Sequence, residues 1–280
     1  MTAPVRTALV TGGSRGLGLA IAHRLIQDGT RVAVLARSAE GVHDAVGALR
    51  EAGGTAFGRS ADVARGDALY PAVRQLLSEL GGIDLLVNNA GVEGPFGPLW
   101  ECDPEEWWQA MDTNLRGVLL ATDAVLPPML ALRSGRIINI VSHAGTHRWP
   151  YVSAYSVSKA AVIKLTENLG HELRGTGVST AALHPGIVLT GFTDKALAAE
   201  AGPATWRGRA HSWIRQQVAA GHGIEPQRAA DAVVRLARNL TTDAASGDYF
   251  TLDAVEALAE HTSTQLRPPA VTPQSEDQQE

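Results

Sequence analysis

The strongest constraint on this chain is a rhythm of short apolar runs. They fall at about 7–11, 31–36, 55–58, 83–87, 136–141, 178–183 and 249–252. Each is near-continuously apolar. A strand with one wet face alternates apolar and polar residues, whereas a strand covered on both faces does not. Between the runs lie helix-length segments at about 16–28, 40–52, 66–80, 104–131, 154–174 and 226–239. Strand, helix, strand at this spacing predicts an α/β fold: a doubly wound parallel sheet of about seven strands, with helices on both faces. The chain has 280 residues, 45% hydrophobic and 19% charged, which is enough to bury one large core without disulfide or metal staples.

Two stretches break the rhythm. Residues 190–223 show no strand run but contain Trp206, Trp213 and many Ala, Gly and Arg, which predicts a helical or mobile insertion over the substrate. From His261 the chain turns to Pro, Gln, Glu and Asp. That composition buries too little to order itself, so 1–260 is expected to form the domain and 261–280 a disordered tail. The net charge is −5, and no dense Lys/Arg cluster occurs, which argues against a nucleic-acid binder. The single cysteine, Cys102, permits no intrachain disulfide and fits a reducing compartment. Residues 1–6 do not resemble a secretory leader, and no run reaches the ~18 uninterrupted apolar residues of a membrane span. The expectation is a soluble cytoplasmic protein that engages neither membrane nor nucleic acid.

The first strand runs into Thr11-Gly12-Gly13-Ser14-Arg15-Gly16-Leu17-Gly18, and a helix pattern follows at once. Glycines at a strand-to-helix turn let the backbone approach a pyrophosphate, and the helix N-terminus offers free N–H groups and a positive dipole end. This places a dinucleotide at the turn of a single-domain, Rossmann-type fold. The glycine spacing differs from the common G-x-G-x-x-G fingerprint.

That spacing resembles the T-G-x-x-x-G-x-G pattern of the short-chain dehydrogenases/reductases. Further motifs follow in the family's order: Asp62-Val63, Asn88-Asn89-Ala90-Gly91, Asn114-Leu115-Arg116-Gly117, Ser142 with Tyr155 and Lys159 as S-x12-Y-x3-K, and Pro185-Gly186-Ile187-Val188-Leu189-Thr190. The resemblance covers about residues 5–252. It implies an oxidoreductase that moves a hydride between a nicotinamide and a carbonyl or alcohol carbon. It implies Asn114, Ser142, Tyr155 and Lys159 as the catalytic set. It implies cofactor contacts from Gly12, Ser14, Arg15, Gly16, Leu17, Gly18, Asp62, Val63, Asn89, Ala90, Gly91, Tyr155, Lys159, Pro185, Gly186, Val188 and Thr190. Ser142 would hydrogen-bond the substrate oxygen, Lys159 would grip the nicotinamide ribose, and Asn114 would hold a water against Lys159.

The residue types suit the chemistry. Tyr155 and Lys159 lie four apart and share a helix face. A nearby cation lowers a phenol from its usual ~10 toward general acid–base range. The cofactor choice rests on the end of the second strand. Where NAD-using members carry an acid, this chain has Ala36 followed by Arg37. Arg37 and Arg15 offer planar donor forks for a ribose phosphate, so NADP(H) is expected and no metal is.

Three stretches should line the substrate pocket: 93–100, 143–152 and the insertion. They hold Phe96, Trp100, Trp149, Tyr151, Trp206 and Trp213, which suit an apolar or moderately polar ketone or secondary alcohol. His143 follows Ser142 and is expected to touch substrate. His143, His147, His184, His211 and His222 form no ligand spacing. The family's Asp-Gly-Gly turn after the last strand is missing, which weakens the expectation of a tetramer and puts a homodimer first. Two rival readings are a non-catalytic NADP(H)-binding scaffold or sensor, and an epimerase or dehydratase of the extended relatives.

Overall fold

A computed structural model describes residues 4–198, 205–240 and 246–258. The expected tail at 261–280 lies outside the described residues, as do 199–204 of the insertion. The elements are β1 (Thr7–Thr11), α1 (Gly16–Gln27), β2 (Arg31–Ala36), α2 (Ala39–Glu51), β3 (Ala56–Ser60), α3 (Gly66–Leu80) and β4 (Leu85–Asn88). Then come α4 (Pro104–Met111), α5 (Gly117–Leu132), β5 (Gly135–Ile140), α6 (Ser153–Glu172), β6 (Val178–His184) and β7 (Ile187–Val188). The chain continues with α7 (Gly191–Leu197), α8 (Trp206–Ala219), β8 (Gly223–Ile224), α9 (Pro226–Asn239), β9 (Tyr249–Thr251) and α10 (Leu252–Ala257).

Seven strands form one sheet in the order β3-β2-β1-β4-β5-β6-β9, and every neighbouring pair is parallel. The period of two sends successive residues to opposite faces. Ala8 and Val10 meet α1, α2 and α9 through Ile21, Leu25, Leu49 and Val233, while Leu9 meets α3 and α5 through Leu69, Leu76 and Val125. Both faces are therefore dry, which is why the strand runs do not alternate. The chain reverses direction of winding between β1 and β4. The crevice at the C-terminal ends of these two strands is where such sheets bind ligands.

Three features depart from the sequence pattern. The expected helix over 104–131 is not uniform: a π-turn at Asp112–Arg116 separates α4 from α5 and carries Asn114. Such turns insert one residue into the helical ladder and re-aim its side chains. The insertion holds two helices, α7 and α8, and its end at Gly223 pairs as β8 with β7. Pro71, Pro127 and Pro128 lie inside α3 and α5.

Candidate active site

The glycine turn is built by mutual support between the ends of β1 and β4. Thr11 Oγ1 accepts from the N–H of Asn89 at 3.1 Å and of Ala90 at 3.2 Å. Asn89 Nδ2 donates to Thr11 O at 3.1 Å and Gly12 O at 3.2 Å. Gly12 has φ 63°, a left-handed conformation, and a Cβ there would lie 2.9 Å from Ala90 Cα. A Cβ on Gly18 would lie 2.2 Å from Gly12 O and 2.5 Å from Asn89 Nδ2. These positions admit no side chain, so the backbone itself lines the crevice.

The remaining cofactor candidates surround this turn. Helix α1 starts at Gly16 with no side-chain cap, which leaves its first-turn donors for a ligand. A Cβ on Gly16 would come 3.4 Å from Thr190, so the segment after Pro185, Gly186 and Val188 forms the opposite wall. Leu17 is partly buried against the core, and Ser14 is partly buried at the turn. Asp62 Oδ1 accepts from Ala64 N at 3.0 Å, and Val63 is buried beside it. Arg15 and Arg37 are exposed, and neither guanidinium has an ion-pair partner among the described residues. A cradle closed to side chains and an uncapped helix N-terminus fit a dinucleotide.

Ser142, Tyr155 and Lys159 meet at the end of β5. Tyr155 and Lys159 share the inner face of α6, both buried, with Lys159 Nζ 5.7 Å from the Tyr155 ring centroid. Nζ donates to Ile140 O at 2.8 Å, which fixes the ammonium against the strand that leads to Ser142. Burial pushes the Tyr155 phenol up to about 12; its hydrogen bond with Ser142 opposes the rise and the charge of Glu93 adds to it. Burial also pulls Lys159 down to about 8. The expectation of a lowered phenol is therefore reversed, with desolvation as the largest influence. Ser142 Oγ also accepts from Ala144 N at 3.2 Å.

Asn114 is fully buried at the π-turn. Its Oδ1 accepts from Val92 N at 2.8 Å, and its Nδ2 donates to Val92 O at 2.8 Å and Ser158 Oγ at 3.0 Å. Both amide hydrogens are thus spent on the loop after β4 and on α6. One acceptor position remains on Oδ1, and the side chain clamps the loop. Gly91 lies between it and the ammonium, since a Cβ there would be 3.3 Å from Asn114 Oδ1 and 3.7 Å from Lys159 Nζ.

The predicted pocket aromatics divide. Phe96 and Trp149 pack with Tyr155 and Ala210, and Trp149 stands edge-on to Tyr155 at 6.0 Å. Tyr151 and Trp206 stack at 4.9 Å nearer the surface, whereas Trp100 is 85% exposed and Trp213 48%. His143 stacks on His184 and touches His147, with both ring pairs 4.5 Å apart. Burial lowers His143 and pulls His184 down to about 4, which favours the neutral form of these two rings. Among the described residues no group of three His, Cys, Asp or Glu side chains is arranged for a metal.

Two features escaped the sequence. A buried chain runs from Asn88 Nδ2 to Thr122 Oγ1 and Asn139 Oδ1, and from Asn139 Nδ2 to Thr166 Oγ1, tying β4 and β5 to α5 and α6. Glu93 meets His211 of α8, a partner 118 residues away. Local pattern carries no signal for either.

The family model described as short chain dehydrogenase matches residues 6–201. The chain belongs to the short chain dehydrogenase family. It is 40% identical over 186 residues to a short chain dehydrogenase of Pseudocercospora fijiensis, across 65% of this chain and 60% of that protein. It is 37% identical to a 3-oxoacyl-[acyl-carrier-protein] reductase of Staphylococcus epidermidis, across 68% of this chain and 78% of the relative. An actinorhodin polyketide ketoreductase solved with NADPH superposes at TM-score 0.79 with 35% identity, covering 90% of this chain and 97% of the other. A xylitol dehydrogenase solved with NAD+ also superposes at 0.79, with 26% identity over 88% and 96%. The chain is thus an oxidoreductase of a family that binds a nicotinamide cofactor and acts on small molecules.

Proposed function

We propose that this protein is an NADPH-dependent ketoreductase whose proton donor is Tyr155. The observation that carries the reading is the meeting of Ser142, Tyr155 and Lys159 on the wall of the crevice that holds the glycine turn. A nicotinamide bound there supplies the hydride. The chain's own residues do the rest. Ser142 donates to the substrate oxygen and holds it beside the phenol. Tyr155, kept protonated by burial, gives its proton to that oxygen as negative charge develops. The Lys159 cation then stabilises the buried phenolate that remains. A phenol held in its protonated form supports reduction over alcohol oxidation. A scaffold has no chemical need for this buried set, which leaves the non-catalytic reading second.

The substrate reading combines the aromatic roof with the relatives' names. Phe96 and Trp149 beside Tyr155 suit an apolar carbonyl compound, and a 3-oxoacyl or related keto substrate fits both. NADP(H) is favoured over NAD(H) by Arg15 and Arg37 and by the absence of an acid at Ala36. NADPH and NADH titrated in parallel test this. NADPH should bind at least about tenfold tighter, and Arg37→Ala should remove most of that margin. Equal affinities in the unsubstituted protein would overturn the cofactor assignment.

A further inference from the structure

The helix that roofs Tyr155 has a weak apolar grip. The buried residues of α8 are Gly208, Ala210, His211 and Ile214, so small side chains make up much of its inner face. Little hydrophobic area is available to hold it down. Its deepest polar contact goes to the loop after β4. His211, fully buried, has Nε2 2.8 Å from Glu93 Oε1, and Glu93 is itself only 11% exposed. One turn earlier on α8, Arg207 lies 3.9 Å from Glu93 Oε2 and stacks over Phe96 at 4.5 Å. Phe96 in turn meets the His211 ring edge-on at 4.9 Å. A single carboxylate thus gathers two side chains of the roof helix, next to the apolar cluster that contains Tyr155.

We propose that Glu93 is the positioning residue that seats α8 over Tyr155, through His211 and Arg207, and so sets the wall of the substrate pocket. The inference rests on the reading of Tyr155 as the reacting side chain. A carboxylate oxygen only accepts, so His211 donates to Glu93 from Nε2. Nδ1 is buried and has no partner among the described residues. When α8 lifts, water reaches that nitrogen, which offsets part of what the Glu93 contact contributes. Trp149 Nε1 also donates to Ala210 O at 2.9 Å and Trp206 Nε1 to Glu101 Oε2 at 2.8 Å, so Glu93 shares the seating of α8 with these two contacts. Glu93 is near enough to the chemistry for its charge to raise the Tyr155 phenol, after burial and the Ser142 hydrogen bond.

Hydrogen exchange of the full-length protein, with and without saturating NADPH, tests the assignment. In Glu93→Ala the α8 amides should exchange roughly ten- to hundred-fold faster than in the unsubstituted protein, with α1 and α9 unchanged. Glu93→Gln keeps an acceptor for His211 and should restore most of the protection. His211→Phe keeps the ring packing against Phe96 and should loosen α8 alone, so it serves if Glu93→Ala does not fold. NADPH affinity should change by a smaller factor than α8 exchange, because His211 and Arg207 touch Glu93 and not the glycine turn. With ethyl acetoacetate as the probe ketone, KM should rise by a larger factor than kcat falls. Unchanged α8 exchange in both Glu93→Ala and His211→Phe, or equal loosening of α1, α8 and α9, would overturn the proposal. Failure of the ketoreductase reading shows separately, as absent NADPH binding or turnover in the unsubstituted protein, and leaves the exchange comparison intact.

Discussion

At the scale of single residues, two buried groups of opposite tendency share one helix face. Burial disfavours the charged form of each, raising the Tyr155 phenol and lowering the Lys159 ammonium to about 8. The consequence for catalysis follows from the sign. Below that pH Lys159 is a cation and can stabilise the phenolate left after proton donation; above it the cation is lost. The kcat/KM for NADPH in ketone reduction should be level below about pH 8 and fall by about tenfold per unit above it. A profile that rises through the same range would show that Lys159 acts uncharged. The Tyr155–Lys159 pairing was legible from a spacing of four. The direction of the phenol's shift was not, because desolvation depends on what packs above α6, and no pattern within α6 records that.

At the scale of elements, the turn between β1 and α1 shows how glycine positions carry a site. Gly18 is closed by the backbone of Gly12, whereas a methyl group on Gly47 of α2 would meet no heavy atom within 4 Å. Gly18→Ala should therefore cost about 1–3 kcal/mol of stability and weaken NADPH binding, while Gly47→Ala should be neutral or stabilising by up to about 1 kcal/mol. Denaturant unfolding of the two variants checks this, and equal stabilities would contradict it. The turn was legible because its residues are contiguous. The strand runs were legible because both faces of the sheet are dry. The π-turn at Asp112–Arg116 was hidden, since its residues Asp112-Thr113-Asn114-Leu115-Arg116 continue an apolar helical period. Its purpose appears only across the fold, where Asn114 reaches Val92 and Ser158. The Glu93–His211 contact was hidden for the same reason.

At the scale of the whole molecule, one surface stands out. The stretch Pro104–Leu132 is long and apolar enough to cross a membrane by length and composition alone, with a mean hydropathy of 1.5 over its most apolar window. In the fold it packs on α3 and α6, and it carries Asp112, Arg116 and the buried Asn114. Only 33% of its most apolar window is buried, which leaves Trp108, Leu119 and Leu132 exposed at 59%, 50% and 69%. We propose that this face meets a second copy of the chain rather than lipid, with a homodimer as first choice and a homotetramer as second. Sedimentation velocity should find a dimer or tetramer, and Leu119→Glu should shift it toward monomer. An unsubstituted protein that sediments as a monomer at high concentration would remove the assignment.

The central claim is that Tyr155 donates the proton in an NADPH-linked reduction. The most direct measurement is NADPH oxidation against a panel of 3-oxo esters, ketones and quinones, with Tyr155→Phe run beside the unsubstituted protein. Turnover should fall by about 10²–10⁴-fold in Tyr155→Phe, with NADPH affinity nearly unchanged. Turnover that survives the substitution would mean that the phenol is not the acid.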